Sequence, residues 1–172
     1  MYFADEPEHI TMLLDSLRRF TEQEAPRERR QEWQAAQTWP RDVFAKLAEL
    51  GVCGLTVAEE FGGQGQDWYA ATAVIEELSR AGTYLCGPFI QCAFYGGGNI
   101  SESGSPAQKT ELLPKIAAGE LHFAYGLSEP DTGGDLANVK TRAHLEDDGH
   151  AVVINGTKRW CTMSTHADYI IC

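Results

Sequence analysis

Apolar residues in the first part of the chain recur with the 3.6-residue period of an α-helix. The clearest stripe lies near the N-terminus and consists of Ile10, Leu13, Leu14, Leu17 and Phe20. This spacing brings all five to one face of a helix. Asp5 with Glu8 offers an N-terminal cap, and Pro26 ends the segment. The pattern therefore predicts an amphipathic first helix that buries its stripe.

A second helix is predicted over residues 40–50, after a polar stretch at 28–38. Proline stands in its first turn, where a missing N–H is of no consequence, and Gly51 follows its end. Its buried face is predicted to consist of Val43, Leu47 and Leu50.

Three later helices are predicted by apolar content and end signals. Residues 69–81 are apolar on most sides, which indicates a buried central helix. Residues 88–94 begin another, and the glycines at 96–98 predict its end, because glycine is a poor helix former. Ser105-Pro106-Ala107-Gln108 combines a capping box with proline at the first helical position. It predicts a last helix to about Ala118, with Gly119 as its stop.

The apolar period changes from 3.6 to 2 near residue 119, which indicates a domain boundary. Extended runs follow at 123–128, 139–143, 151–154, 157–162 and 168–172. Asn155-Gly156 is typical of a type I′ turn and predicts a hairpin between two of these runs. We therefore predict an α+β, multidomain chain with an all-α domain over 1–119 and an antiparallel β-domain that starts at 120. Because the last run stops on apolar residues that nothing pairs, we also expect the chain to be truncated.

Two features of the β segment could bind a ligand. The loop Glu129-Pro130-Asp131-Thr132-Gly133-Gly134-Asp135 has glycines that leave the backbone open, and its N–H groups could bind a phosphate. Trp160 and Thr162 are predicted to point the same way along a strand, as a stacking face beside a hydroxyl. From the residues alone, a core tryptophan and an ordinary turn are the favoured interpretation, because one Gly-Gly loop is a weak motif.

Composition narrows the class of protein. Apolar residues make up 43% and charged residues 23% of the 172 residues, which is typical of a globular protein. The net charge of −11 argues against nucleic acid as the main partner. Neither a secretory signal nor an apolar run of membrane-spanning length is visible. Five cysteines without a C-x-x-C motif favour a reduced, cytoplasmic setting. The histidines show no metal-ligand spacing, and two loop carboxylates, Asp131 and Asp135, are too few for a cation site.

Three motifs together resemble the acyl-CoA dehydrogenase family. The run 125–135, Tyr-Gly-Leu-Ser-Glu-Pro-Asp-Thr-Gly-Gly-Asp, is similar to its first signature. The run 155–162 resembles its hairpin, and Ala167-Asp168-Tyr169 its next strand, at matching separations. The resemblance implies a barrel-like middle domain that is incomplete here and a C-terminal helical domain that is absent. It also implies FAD as cofactor and acyl-CoA thioesters as substrates.

The resemblance also implies roles for individual residues. Tyr125, Leu127 and Ser128 are expected against the flavin ring, with the Leu127 and Ser128 backbone and the serine hydroxyl at its pyrimidine end. Gly133 and Gly134 are expected at the pyrophosphate and the CoA arm. For the second motif, the resemblance places Trp160 on the isoalloxazine and Thr162 near its N5. Two positions depart from the family pattern: Gly134 stands where serine is common, and Ser128 where threonine is frequent.

Residues of the acyl pocket are implied by position only. Gly87, Pro88, Gln91 and Tyr95 match the helix that lines this pocket in the family, although core and helix-end roles explain them equally well. A bulky Tyr95 would shorten a straight tunnel, so a short, branched or ring-bearing acyl group is expected. The catalytic base of the family is a glutamate on its C-terminal domain, and the chain offers no counterpart, since Glu129 matches a structural position.

The resemblance also implies partners for the protein, and two further hypotheses remain open. The resemblance implies an electron transfer flavoprotein as electron acceptor and a homo-oligomer for the full-length enzyme. An acyl-CoA oxidase or a flavin monooxygenase would share the fold and differ in oxygen access to the reduced flavin. A non-catalytic interaction module is the third hypothesis, and its apolar edge at Ile170-Ile171 would need a partner.

Overall fold

The computed structural model describes residues 7–146 and 149–172, which form two compact units that divide between His122 and Phe123. The first, the helical unit, contains seven described α-helices: α1 (Glu8–Glu24), α2 (Arg27–Ala36), α3 (Arg41–Ala48), α4 (Trp68–Ala81), α5 (Thr83–Phe89), α6 (Asn99–Ser103) and α7 (Pro106–Ala117). Two 3₁₀ turns, Val52–Thr56 and Glu59–Phe61, lie between α3 and α4, and a π-helix, Ile90–Gly98, joins α5 to α6.

The core of the helical unit is formed by apolar side chains of α1, α3, α4, α5, the π-helix and α7, together with the buried first 3₁₀ turn. α1 packs on α4, and the first 3₁₀ turn packs on the π-helix. The largest buried side chains include Ile10, Leu17, Phe44, Leu47, Leu78, Phe89, Leu113 and Ile116. None of the helices in the described residues is apolar over a length that could cross a bilayer.

The predicted first, central and last helices are confirmed. α1 buries Ile10, Leu14 and Leu17 of its stripe, while the expected Asp5 cap lies outside the described residues. The Ser105 side chain accepts from Gln108 N, and the Gln108 side chain accepts from Ser105 N, so the capping box of α7 is complete. The buried face predicted for the second helix was wrong at one position. Leu50 is 41% exposed because α3 ends at Ala48, and Phe44 takes its place in the core.

The predicted helix end at the three glycines was also wrong, because the helical backbone continues through them into α6. A Cβ on Gly97 would lie 2.4 Å from Thr56 Oγ1, and one on Gly98 would lie 3.0 Å from the Trp68 ring. The glycines therefore allow this helix to approach the first 3₁₀ turn and α4 closely. Packing outweighs the low helix propensity of glycine here.

The second unit, the β unit, contains four short strands in two pairs: β1 (Phe123–Tyr125), β2 (Arg142–Leu145), β3 (Val152–Asn155) and β4 (Tyr169–Ile171). β1 pairs with β4 in parallel, with Phe123 opposite Tyr169 and their rings stacked at 5.2 Å. β2 pairs with β3 in antiparallel register, from Arg142 opposite Asn155 to Leu145 opposite Val152. The expectation of antiparallel pairing thus holds for one pair only, and the described strands do not close into a barrel.

The hairpin predicted at Asn155-Gly156 was wrong. A type I′ turn needs a positive φ at both central residues, and neither of these residues has one. The antiparallel pairing of β2 and β3 instead continues to Glu146 N, which donates to Ala151 O at 2.9 Å, and residues 157–162 form no strand. A Cβ on Gly156 would lie 2.1 Å from Thr141 Oγ1, so glycine is needed there for a close passage of the chain.

Candidate functional site

The loop that follows β1 is closed by a tight turn over Glu129-Pro130-Asp131-Thr132. Glu129 N donates to Thr132 O at 2.8 Å, and Thr132 N donates back to Glu129 O at 3.2 Å. Proline has the fixed φ that such a turn favours at its second position. Thr132 is buried and its hydroxyl donates to Asn138 O at 3.3 Å. The loop is therefore a turn that is closed by hydrogen bonds of its own residues.

The carboxylate of Glu129 organises this turn from inside. Lys140 N donates to its Oε2 at 2.6 Å, and Thr141 N donates to its Oε1 at 2.9 Å. Lys158 Nζ donates to the same Oε1 at 3.0 Å. The Thr141 side chain, then the N–H groups of Lys140 and Thr141, lower the pKa of Glu129 to about 2. A carboxylate so strongly held in its charged form is a poor proton acceptor at neutral pH, which supports its assignment as structural.

This arrangement predicts a loss of local order in acid. Because the pKa of Glu129 is lowered from 4.5 to about 2 in the folded state, its stabilising effect is complete above pH 4.5 and is lost as the pH falls towards 2. We expect the exchange protection of the Lys140 and Thr141 amides to fall over this window in hydrogen-exchange measurements. The buried Ala25 amide, which donates to Thr21 O in the helical unit, is the internal control.

Replacing the carboxylate by its neutral amide, Glu129→Gln, should remove the pH dependence of this protection. The variant should therefore give Lys140 and Thr141 protection factors that stay level between pH 5 and pH 2.5, after correction for intrinsic exchange. Wild-type protection that is equally level would contradict the assignment of the low pKa to Glu129.

The two motifs that resemble the family signature meet in the β unit. Arg159 N donates to Ser128 O at 2.8 Å, and Lys158 Nζ donates to Leu127 O at 3.2 Å. The chain just before Trp160 therefore runs along the segment that follows β1. Leu127 and Ser128 therefore lie beside the segment that leads into Trp160, although 32 positions separate Ser128 from Trp160 in the sequence. Tyr125 is the last residue of β1, and Thr162 N donates to Trp160 O at 2.9 Å.

Trp160 differs from two of the expectations for it, the core position and the place on a strand beside Thr162. It lies in no strand, its φ is +62°, and its side chain is 74% exposed. It is therefore neither a core residue nor aligned with Thr162 on a strand face. The Arg159 guanidinium lies 4.6 Å from the centre of its ring. A left-handed φ at a bulky residue is strained by about 1–3 kcal/mol, and such strain is found mainly at functional sites.

Gly133 and Gly134 face open space. A Cβ on either would meet no atom within 4 Å, and neither has a positive φ. Within the described residues, neither of their N–H groups donates to another protein group. Nothing inside this part of the protein therefore requires glycine at these positions. Both can accept a ligand against the backbone.

The acidic residues of the loop have protein partners. Asp131 pairs with Lys140 at 2.9 Å, and Asp135 accepts from Asn138 at 2.6 Å. In the part of the chain that the structure describes, no group of three or more metal-ligating side chains is present. Among the histidines, His122 is buried against Trp39 and Phe44, and His9 lies 3.0 Å from Asp67.

The predicted acyl-pocket residues lie on the helical unit. Gly87 and Pro88 are in α5, and Gln91 and Tyr95 are in the π-helix one turn further on. Gln91 is 3% exposed and Tyr95 is half-buried. Single-turn π-segments inside helices occur often at functional sites, and this one is longer. The roles of these four residues stay predictions.

Sequence reasoning missed Lys158, which is the residue that links Glu129 to the Trp160 segment. The available signal was Glu129 itself, because a carboxylate needs hydrogen-bond donors if it is buried. The second motif contains a single lysine, Lys158, but nothing in one sequence indicates that this cation and not another reaches Glu129 in the folded chain.

Comparison with known proteins agrees with this fold. The family model for the acyl-CoA dehydrogenase N-terminal domain matches residues 7–120, and that for the middle domain matches residues 124–172. (2S)-methylsuccinyl-CoA dehydrogenase of Cereibacter sphaeroides is 36% identical over 90% of this chain and 28% of its own length. The mitochondrial isovaleryl-CoA dehydrogenase of Oryza sativa subsp. japonica is 34% identical over 80% of this chain and 34% of its own.

A solved structure gives the same result. The acyl-CoA dehydrogenase of Bacillus anthracis complexed with FAD superposes with a TM-score of 0.89, at 32% identity, over 100% of this chain and 29% of that one. A helical domain followed by a few strands is the fold that this structure shares with the chain. The chain belongs to the acyl-CoA dehydrogenase family. It spans about a third or less of the length of these relatives.

Proposed function

We propose that the chain forms the N-terminal helical domain (1–119) and the start of the middle domain (120–172) of an FAD-dependent acyl-CoA dehydrogenase. The observation that carries this proposal is the exposed Trp160 held beside the Leu127–Ser128 segment. A large aromatic ring that is strained and exposed suits the stacking of a planar heterocycle.

The residues present fit the cofactor. Tyr125, Leu127 and Ser128 would contact the flavin ring, and the Trp160 indole would pack on it with Thr162 near its N5. Gly133 and Gly134 would receive the pyrophosphate or the CoA arm, because their N–H groups and open faces are available. When bound, FAD supplies the acceptor for the hydride that leaves the substrate β-carbon. The catalytic base would come from residues beyond this chain.

For the substrate, we propose a short, branched or ring-bearing acyl-CoA, with Gln91, Tyr95 and Gly134 as contacts. Support comes from the half-buried Tyr95, whose ring would limit the length of a straight chain. Two relatives are named for isovaleryl-CoA and (2S)-methylsuccinyl-CoA, which are both branched. Tighter binding of palmitoyl-CoA than of isovaleryl-CoA to the full-length protein would contradict this choice.

For partners and setting, we propose an electron transfer flavoprotein as electron acceptor and a homo-oligomeric full-length enzyme. The cytoplasm is the proposed compartment, because all five cysteines are free thiols in the structure. Size-exclusion chromatography with light scattering of the full-length protein tests the oligomer directly.

The deciding experiment measures cofactor and activity on the full-length protein that carries this chain. We expect purified protein to be yellow, to bind FAD after depletion, and to reduce electron transfer flavoprotein in the presence of isovaleryl-CoA. Protein that binds no FAD would overturn the proposal. Stoichiometric formation of peroxide with each turnover would assign the chain to an oxidase instead.

A further inference from the structure

Lys158 makes two contacts that no other described lysine side chain makes. Its ammonium donates to Leu127 O at 3.2 Å and to Glu129 Oε1 at 3.0 Å, and its side chain is only 17% exposed. One cation thus ties together a main-chain carbonyl and a buried carboxylate. Hydrogen bonds that involve a charged donor are roughly twice as strong as neutral ones.

These contacts fix the backbone that leads directly into Trp160. Arg159 N donates to Ser128 O at 2.8 Å, so residues 127, 128 and 129 each receive a hydrogen bond from residue 158 or 159. Trp160 follows immediately. The position of its indole relative to the Leu127–Ser128 segment is therefore set by this short ladder, and the lysine side chain provides two of its three links.

The contact with Leu127 also has an electrostatic consequence. Leu127 C=O and Ser128 N–H belong to the same peptide group. A positive charge that binds the oxygen draws electron density through the amide, and the N–H becomes a stronger donor, since linked hydrogen bonds polarise one another. Any acceptor in front of Ser128 N–H is stabilised more when it carries negative charge.

The charge of Lys140 offers a matched comparison in the same loop. Its ammonium pairs with Asp131 at 2.9 Å, but both side chains are more than 70% exposed, so this pair is screened by water. Its backbone N–H, which donates to Glu129, remains in any substitution except proline. Lys140 therefore carries the same charge as Lys158 and lies near the same loop, but its ammonium does not contact the Leu127–Ser128 peptide.

We propose that Lys158 is a positioning residue that holds the Leu127–Ser128 peptide against the Trp160 segment and strengthens Ser128 N–H as a donor to reduced flavin. The inference rests on the proposed function, because it requires FAD to bind at these residues. It assigns to one side chain both the geometry of the ring site and a preference for the reduced, negatively charged cofactor.

The test uses full-length protein with Lys158→Met, Lys158→Gln, Lys158→Arg and the control Lys140→Met. FAD affinity is measured by fluorescence titration, and the midpoint potential of bound flavin by reduction against a reference dye. We expect Lys158→Met and Lys158→Gln to lose about tenfold in affinity for reduced relative to oxidised FAD. For a two-electron couple this ratio equals a potential about 30 mV more negative. Lys158→Arg should retain most of the wild-type preference for reduced FAD. Lys140→Met should have the wild-type affinity and potential.

The outcomes separate the inference from the proposed function. Wild-type protein that binds no FAD would overturn the proposed function, and the inference with it. Wild-type protein that binds FAD, together with Lys158 variants at the wild-type potential, would overturn the inference alone, even if affinity fell equally in both redox states. Melting temperatures identify a variant that has not folded. If either the Gln or the Met variant does not fold, the other provides the measurement.

Discussion

Gly97→Ala is expected to destabilise the helical unit by about 1–3 kcal/mol, although alanine normally stabilises a helix relative to glycine. The added Cβ would lie 2.4 Å from Thr56 Oγ1 and 3.3 Å from Val57 Cγ2. The Thr56 hydroxyl cannot move away freely, because it is buried and donates to Ala93 O at 2.5 Å. Urea denaturation followed by far-UV circular dichroism measures the loss.

A double-mutant cycle with Thr56→Ala tests the mechanism. Removing the hydroxyl opens space for the new methyl group, so Gly97→Ala should cost at least about 0.5 kcal/mol less in the Thr56→Ala background than in wild type. Equal costs in the two backgrounds would mean that the clash with Thr56 does not explain the effect. A stabilising Gly97→Ala would show that the helix does not approach the 3₁₀ turn as closely as described.

Trp160→Ala is expected to weaken FAD binding about 30-fold while leaving the unfolding free energy within about 0.5 kcal/mol of wild type. The side chain is 74% exposed among the described residues, so its removal uncovers little of the core that they form. Stacking of a planar heterocycle on an aromatic side chain is worth about 1–3 kcal/mol, which is lost entirely in alanine. Fluorescence titration of FAD on the full-length protein measures the first quantity, and urea denaturation the second.

Two variants control this prediction. Trp160→Phe retains a ring and should fall between wild type and alanine. Leu145→Ala removes another exposed apolar side chain, 65% exposed in β2, and should bind FAD like wild type. If Trp160→Ala lowered stability by several kcal/mol and left FAD affinity unchanged, the indole would be a structural residue and the candidate site would lose its main support.

Both predictions depend on residues whose surroundings the chain alone does not reveal. Gly97 stands in a run of glycines that argues against a helix, yet the helix continues there, and the close approach of Thr56, 41 positions earlier, is what requires glycine. Trp160 has the apolar character of a core residue, yet its backbone is left-handed and its side chain lies at the surface of the described residues. In each case a long-range contact or a backbone conformation overrides the local preference.

By itself, the sequence determined the features that depend on neighbours within one or two turns. These are the stripe of α1, the capping box of α7, the apolar α4, the change of period near residue 119, and the family, through motifs whose order and spacing are local. Such features follow from the period of the apolar residues and from the residues that begin and end helices, which require no knowledge of the rest of the fold.

Only the tertiary structure decided the pairing of strands and the partners of charged groups. The Asn155-Gly156 dipeptide is favourable for a hairpin, but in the fold Gly156 instead allows the chain to pass close to Thr141. Likewise, β1 pairs with β4, which is distant in the sequence. Glu129 and Lys158 are 29 positions apart and form one buried pair. Pairing over such separations is set by how the helices and strands pack. Several strands could pair with β1, and several basic residues could pair with Glu129, but the fold places only one of each within hydrogen-bonding distance.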